Sequence, residues 1–128
     1  MTLAATASAI RTALARSADD DELLRLVIQA ADDFAAIEHD RESFLAEPPL
    51  TSDPRYDALL AGLAVYLVQQ AGIEKTPAWT RHESRYLDRM WWVGLPENSG
   101  RRAYVLQRTP AYFKARGVLF NVANLESV

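Results

Sequence analysis

Apolar residues recur along most of this chain at intervals of three and four, the spacing that puts them on one side of an α-helix. The clearest case is Pro54–Ala71. Tyr56, Leu59, Leu60, Leu63, Tyr66 and Leu67 form one stripe, Asp53 precedes it as an N-cap with Pro54 at the first helical position, and Gly72 follows as a stop. Gly62 sits inside this helix at a cost of about 1 kcal/mol against alanine, which predicts a close helix crossing there. A second helix is predicted from Asp19 to about His39. Leu23, Leu24, Val27, Ile28, Ala31, Phe34 and Ala35 give it a broad core face, and Asp32, Asp33 and Asp40 mark its wet side. Asp19-x-x-Glu22 is a capping signature, and the acids at Asp19, Asp20, Asp21 and Glu22 suit the positive end of a helix dipole better than a cation loop. Thr2 caps a narrower helix, Thr2–Arg16, with Leu3, Ala7, Ile10 and Leu14 in register. Its small residues suit close packing, either on the parent domain or on a second copy, so residues 1–17 are a candidate docking or oligomerisation arm.

Shorter elements complete the chain. Asp40–Ala46 reads as a brief helix carrying Phe44 and Leu45 inward, ended by Pro48 and Pro49. Pro96–Gly100 is a polar turn. Arg101–Arg108, with Ala103, Tyr104 and Leu106 available for packing, is too short to separate helix from strand. Thr109-Pro110 opens a helix through Arg116, with Tyr112 and Phe113 as core residues and Gly117 at its end. Val118–Phe120 is β-prone, and Asn121–Val128 is a last turn packing Val122 and Leu125. There is no internal repeat and no linker long enough to divide the chain. The expected fold is one mainly α-helical domain over residues 1–128, with about five to seven helices and one short β-prone segment near the C-terminus.

Between the long helix and this last third lies Thr76–Leu95, which holds all three tryptophans, Trp79, Trp91 and Trp92, interleaved with arginine. Thr80-x-x-Glu83 resembles a capping box, predicting a helix from Arg81 to Val93 with Gly94 as its stop. On that helix Tyr86, Leu87, Met90 and Val93 face the core with Trp91 at its edge. Arg81, Arg85, Arg89 and Trp92 face outward. A flat, stiff indole among guanidinium groups has the make-up of an interface hot spot. The alternative is that Trp92 folds against its own chain.

Composition narrows the function classes. With 49% hydrophobic and 24% charged residues the chain has the balance of a globular protein. It has no cysteine, which removes disulfide and thiolate chemistry and fits a reducing compartment. No apolar run is long enough to span a membrane, and polar residues at Thr6, Ser8, Arg11 and Thr12 break any signal-peptide core, so a cytoplasmic location is expected. The net charge of −3 conceals a split: residues 1–64 carry five cationic and twelve anionic side chains, residues 65–128 nine and five. The basic half is arginine-rich, with Arg81, Arg85, Arg89, Arg101, Arg102, Arg108 and Arg116 beside Lys114. Guanidinium forks suit bidentate contact with carboxylate or phosphate. That surface fits an acidic protein partner, and less well a nucleic acid, whose binders carry a stronger basic stripe.

No reaction is signalled. His82-Glu83 begins like a zinc-protease motif, but Tyr86 stands where the second histidine ligand belongs. His39 ends a helix, where a cation suits the dipole. Ser84 lies in no nucleophile elbow and the sequence places no base for it, and no glycine-rich phosphate loop is present. Glu38 and Glu42 stand one turn apart at a wet surface, where nothing would raise a carboxylate pKa. The expectation is a non-enzymatic chain with no catalytic residues, no metal site and no cofactor.

Five segments carry a family resemblance: LLRLVIQAADDF (Leu23–Phe34), AEPPLTSDPRYDALLAGLAVYL (Ala46–Leu67), PAWT (Pro77–Thr80), RYLDRMWW (Arg85–Trp92) and TPAYFKARGVLFNVANLESV (Thr109–Val128). Together they resemble a family of small actinobacterial proteins, similar to the C-terminal module of helix-turn-helix regulators or antitoxins that accompany nucleotidyltransferase-like toxins. The resemblance implies an antitoxin-like module that binds and neutralises a toxin-type protein. Fewer residues precede Leu23 than a helix-turn-helix domain needs, so protein binding is expected before direct DNA binding. A nucleic-acid-binding transcriptional regulator and a homodimerising scaffold are the alternative readings. The expected partner-binding residues are Trp79, Arg81, Arg85, Arg89, Trp92, Arg101 and Arg102.

Overall fold

A computed structural model describes residues 1–95 and 99–125. Among them are six α-helices: α1 Leu3–Ala15, α2 Asp20–Ala36, α3 Arg41–Phe44, α4 Pro54–Gln70, α5 Arg102–Arg108 and α6 Ala111–Lys114. Two short parallel strands, β1 Trp91–Trp92 and β2 Val118–Leu119, pair Trp91 with Val118 and Trp92 with Leu119. Three 3₁₀ turns cover Ala78–Arg81, Glu83–Arg85 and Val122–Leu125. The fold is mainly α, as the periodicity predicts. Residues 96–98 of the turn expected at Pro96–Gly100 and residues 126–128 of the one expected at Asn121–Val128 lie outside the described residues.

The molecule is built around α4. Every residue from Tyr56 to Val68 is buried, so the helix is enclosed on all sides and not along one stripe. α1 and α2 pack on it, as do the first two 3₁₀ turns, α6 and β2. Asp53 caps it through the Arg55 amide at 3.0 Å, with Pro54 at its first turn. Two more predicted caps also form: Thr2 Oγ1 accepts from the Ala5 amide and Asp19 Oδ1 from the Glu22 amide. α2 ends at Ala36, short of His39, which is exposed. The apolar stripe of α1, Leu3, Ala7, Ile10 and Ala13, is buried against the chain's own α2 and α4. No helix among the described residues is long and apolar enough to cross a membrane.

The expected helix Arg81–Val93 is absent. Thr80 does not cap it: its hydroxyl donates back to the Pro77 carbonyl at 2.7 Å, and its own carbonyl is taken by the Arg116 guanidinium. After the two 3₁₀ turns the chain runs extended beside residues 116–119. The Leu87 amide donates to Arg116 O, the Trp91 amide to Gly117 O and the Val93 amide to Leu119 O. Bulky Trp91, Trp92 and Val93 suit this pleated pairing, and the partner run Val118–Phe120 supplies the ladder that an isolated helix would have provided internally. Tyr86 and Met90, expected inside, are consequently exposed. Gly117 turns α6 into β2 at φ +79°, and a side chain there would press on Leu87.

Gly62 marks the closest approach in the core. An added Cβ would lie 2.3 Å from Cδ1 and 2.4 Å from Cε1 of Phe113, a fully buried ring on α6. The expected crossing is thus made by one aromatic ring laid on the helix backbone. Gly62→Ala should lower stability by about 1–3 kcal/mol through overpacking, outweighing the gain in helix propensity. Urea denaturation should show a reduced midpoint at unchanged slope. Adding Phe113→Leu should return part of the loss, because the two changes share one space.

Candidate docking groove

The seven residues expected to bind a partner do not share one surface. Trp79 is buried, and its Nε1 donates to the Leu45 carbonyl at 2.9 Å, tying the 3₁₀ turn to the chain after α3. Arg85 is 2% exposed. Its guanidinium lies 4.8 Å from the Trp79 ring centre and donates to Pro48 O at 2.9 Å and Asp57 O at 3.3 Å. Burial pulls the Arg85 pKa down, opposed by the nearby Asp57 and Glu47 carboxylates. Both residues are therefore structural, correcting their expected place on the outer surface. Arg81 and Arg89 are exposed, and Arg81 donates to Thr76 Oγ1 at 2.8 Å. Arg101 is exposed and lies over Tyr104.

Trp92 and Arg102 meet. Both are half-buried, with the guanidinium 4.9 Å from the indole ring centre. Trp91 repeats the arrangement beside them, with Arg55 at 5.0 Å from its ring and Tyr56 edge-on at 5.1 Å. Residues Trp91 and Trp92 both contribute to the lining of one groove of about 460 Å³, with Asp20, Arg55, Met90, Gly94, Leu95 and Arg102. Met90, at its edge, is 67% exposed. Periodicity could not have found Arg55 or Trp91 as groove residues: Arg55 comes from the start of α4, far away in sequence, and Trp91 was expected at the edge of a core face.

The two guanidinium groups are in different states. Arg55 is held by Asp53 at 2.9 Å and by Asp20 at 3.5 Å, and the hydrogen bonds it donates to Asp53 raise its pKa despite partial burial. Asp20 also accepts from the Tyr56 hydroxyl at 2.6 Å. Burial, helped by that bond to Asp20, keeps the Tyr56 phenol protonated well above its ordinary range. Arg102 has no ion pair among the described residues, and its Nε is shielded from water without a hydrogen-bond acceptor.

One pair that spacing missed does form. His82 Nδ1 lies 2.8 Å from Ser84 Oγ and accepts from the Ser84 amide at 3.2 Å. Two residues apart would not meet on a helix, but they meet across this 3₁₀ turn. The imidazole acts as its N-cap. No third group holds the other ring nitrogen among the described residues, so the orienting member of a nucleophilic triad is missing. No cluster of three or more metal-ligating side chains occurs among the described residues.

Comparison with protein families, curated proteins and solved structures returns no match.

Removing the buried guanidinium should act on stability first. Arg85→Met keeps the stem but strands the Pro48 and Asp57 carbonyls, which should cost about 1–3 kcal/mol. The exposed neighbour Arg81→Met should cost less than about 0.5 kcal/mol. Thermal melts of the two variants make the comparison.

Proposed function

We propose that this chain is a non-enzymatic, cytoplasmic protein-interaction module, antitoxin-like in that it binds and neutralises a toxin-type protein. The observation that carries this reading is the groove between Trp91, Trp92, Met90 and Arg102. It joins two tryptophans and an exposed methionine, residue types enriched at interfaces, to an arginine that has no ion pair among the described residues. Neutralisation would be steric. An apolar side chain of the partner lies along the indoles, and a partner carboxylate meets the Arg102 fork and fixes the register. Arg89 and Arg101, both exposed, would serve as rim charges that steer approach. The family resemblance of Leu23–Val128 supports a toxin as the class of partner.

The nucleic-acid reading is weakened by where the arginines go. Arg85 and Arg116 spend their donors on backbone carbonyls, which leaves less positive surface for a phosphate backbone. The homodimer reading loses its best candidate surface, because the apolar stripe of α1 is already covered.

Trp92→Ala combined with Arg102→Ala should weaken binding to the protein encoded by the adjacent gene by about 30-fold or more, with the helical circular dichroism retained. Arg81→Ala is the control and should leave affinity within about 2-fold. Unchanged affinity of a folded double variant would rule out this groove.

A further inference from the structure

Helix α5 carries its charges on the side turned toward the molecule. Val105 is its one buried residue. At about 100° per residue, Arg101, Arg102 and Arg108 all fall within about 60° of Val105. The opposite half is uncharged: Ala103, Tyr104, Leu106 and Gln107, all exposed. An ordinary surface helix has the reverse order, with apolar residues inward and charges outward. Tyr104 and Leu106, 41% and 42% exposed, stand on either side of the small Ala103, so the outer face is a shallow trough between two large side chains.

The arginines border this strip and are held there by aromatic rings. Arg101 and Arg108 lie over Tyr104 along one side, 5.7 Å and 4.7 Å from its ring centre. Arg102 stacks on Trp92 along the other side. None of the three has an ion pair among the described residues. The sequence has no aspartate or glutamate from Ser99 to Leu125. The outer face of α5 is therefore an uncharged strip with a purely cationic border.

We infer that α5 docks an acidic amphipathic helix of a protein partner. An apolar side chain of that helix seats over Ala103, between Tyr104 and Leu106, where the small residue lets two helices approach closely. Its flanking carboxylates meet Arg101 and Arg108 on one side and Arg102 on the other. The charge of the border selects this occupant. A second copy of the chain would set the same three arginines against each other across a two-fold contact. A phosphate backbone would meet the uncharged half of the helix first. A lipid surface would gain only two large apolar side chains from so short a helix. The inference rests on the reading of the chain as an interaction module, and it adds a surface that shares only Arg102 with the tryptophan groove.

The experiment titrates the full chain with a synthetic amphipathic peptide whose leucine stripe is flanked by glutamates, and follows the backbone amides by nitrogen–proton NMR. The peptide should shift the amides of Ala103, Tyr104, Leu106 and Gln107. The same peptide with lysine for every glutamate should bind at least about 10-fold more weakly. Leu106→Gln, at an exposed position, should weaken the acidic peptide by about 10-fold with the thermal midpoint unchanged, and Arg108→Gln by about 3-fold. Arg25→Gln, an exposed cation on α2, is the control and should leave affinity within about 2-fold. Three results would overturn the inference: the lysine peptide binding as tightly, unchanged affinity in Leu106→Gln, or no shift in α5 at about 1 mM acidic peptide. A single-stranded oligonucleotide or phosphatidylglycerol vesicles shifting these amides in place of the acidic peptide would equally overturn it, as would self-association that Leu106→Gln abolishes. The product of the adjacent gene takes no part in this titration, so the groove and the α5 surface fail separately.

Discussion

The enclosure of α4 on every side is the constraint on which the rest of the molecule depends. A helix exposed on one face needs only one layer against it, but thirteen successive buried positions, Tyr56–Val68, need cover all round. α1 and α2 form part of that cover, and the C-terminal third, through α6 and β2, forms another. Neither could approach a helix of uniformly large side chains. Ala58, Ala61, Gly62 and Ala64 leave room, and Phe113 lies against the backbone at Gly62. The one ionisable acid in this run, Asp57, is satisfied in place: it accepts from the Thr51 amide at 2.7 Å and the Thr51 hydroxyl at 2.9 Å.

The same enclosure explains why two arginines lie inside. Residues 76–90 pass over α4 with little regular structure, so their carbonyls and those of nearby loops lack helical or sheet partners. A guanidinium has five donors in a fixed fork and can serve several carbonyls at once. Arg85 takes the loop carbonyl of Pro48 and also reaches that of Asp57 in α4, and Arg116 takes that of Thr80 and also reaches that of Tyr112 in α6. Desolvation disfavours their charge and lowers both pKa values. The carbonyl bonds and the flanking rings of Trp79 and Tyr86 offset that penalty.

What was legible in the sequence follows from this division. The four helices with local signals, α1, α2, α3 and α4, start where their caps, proline and apolar spacing place them, because those signals act within one turn of the chain. Val118–Phe120 was legible as β-prone through its own residues. Thr76–Leu95 was not. Its apparent capping box is local, but the forces that decide it are distant: a strand partner some 27 residues later in the chain and carbonyl acceptors on α4 and near Pro48. A helical wheel therefore set Arg85 outside with Arg81 and Arg89, whereas tertiary hydrogen bonds drew it in. The pairing of Trp92 with a guanidinium was legible as a composition. Which arginine supplies it was not, since Arg102 comes from α5.

The unequal states of Arg55 and Arg102 give the tryptophan groove a direction. At the Trp91 end the cation is already neutralised by Asp53 and Asp20, and the same Asp20 oxygen also holds the Tyr56 hydroxyl. Opening that cluster would break three interactions at once. At the Trp92 end Arg102 is stacked on the indole and has no ion pair among the described residues. The stacking fixes the fork in advance, so less side-chain entropy is lost when an anion arrives. A carboxylate entering the groove would be drawn to Arg102 and kept away from Asp20, with a neighbouring apolar group toward Trp91. Such polarity would let a groove with almost balanced charge distinguish one orientation of a bound segment from its reverse.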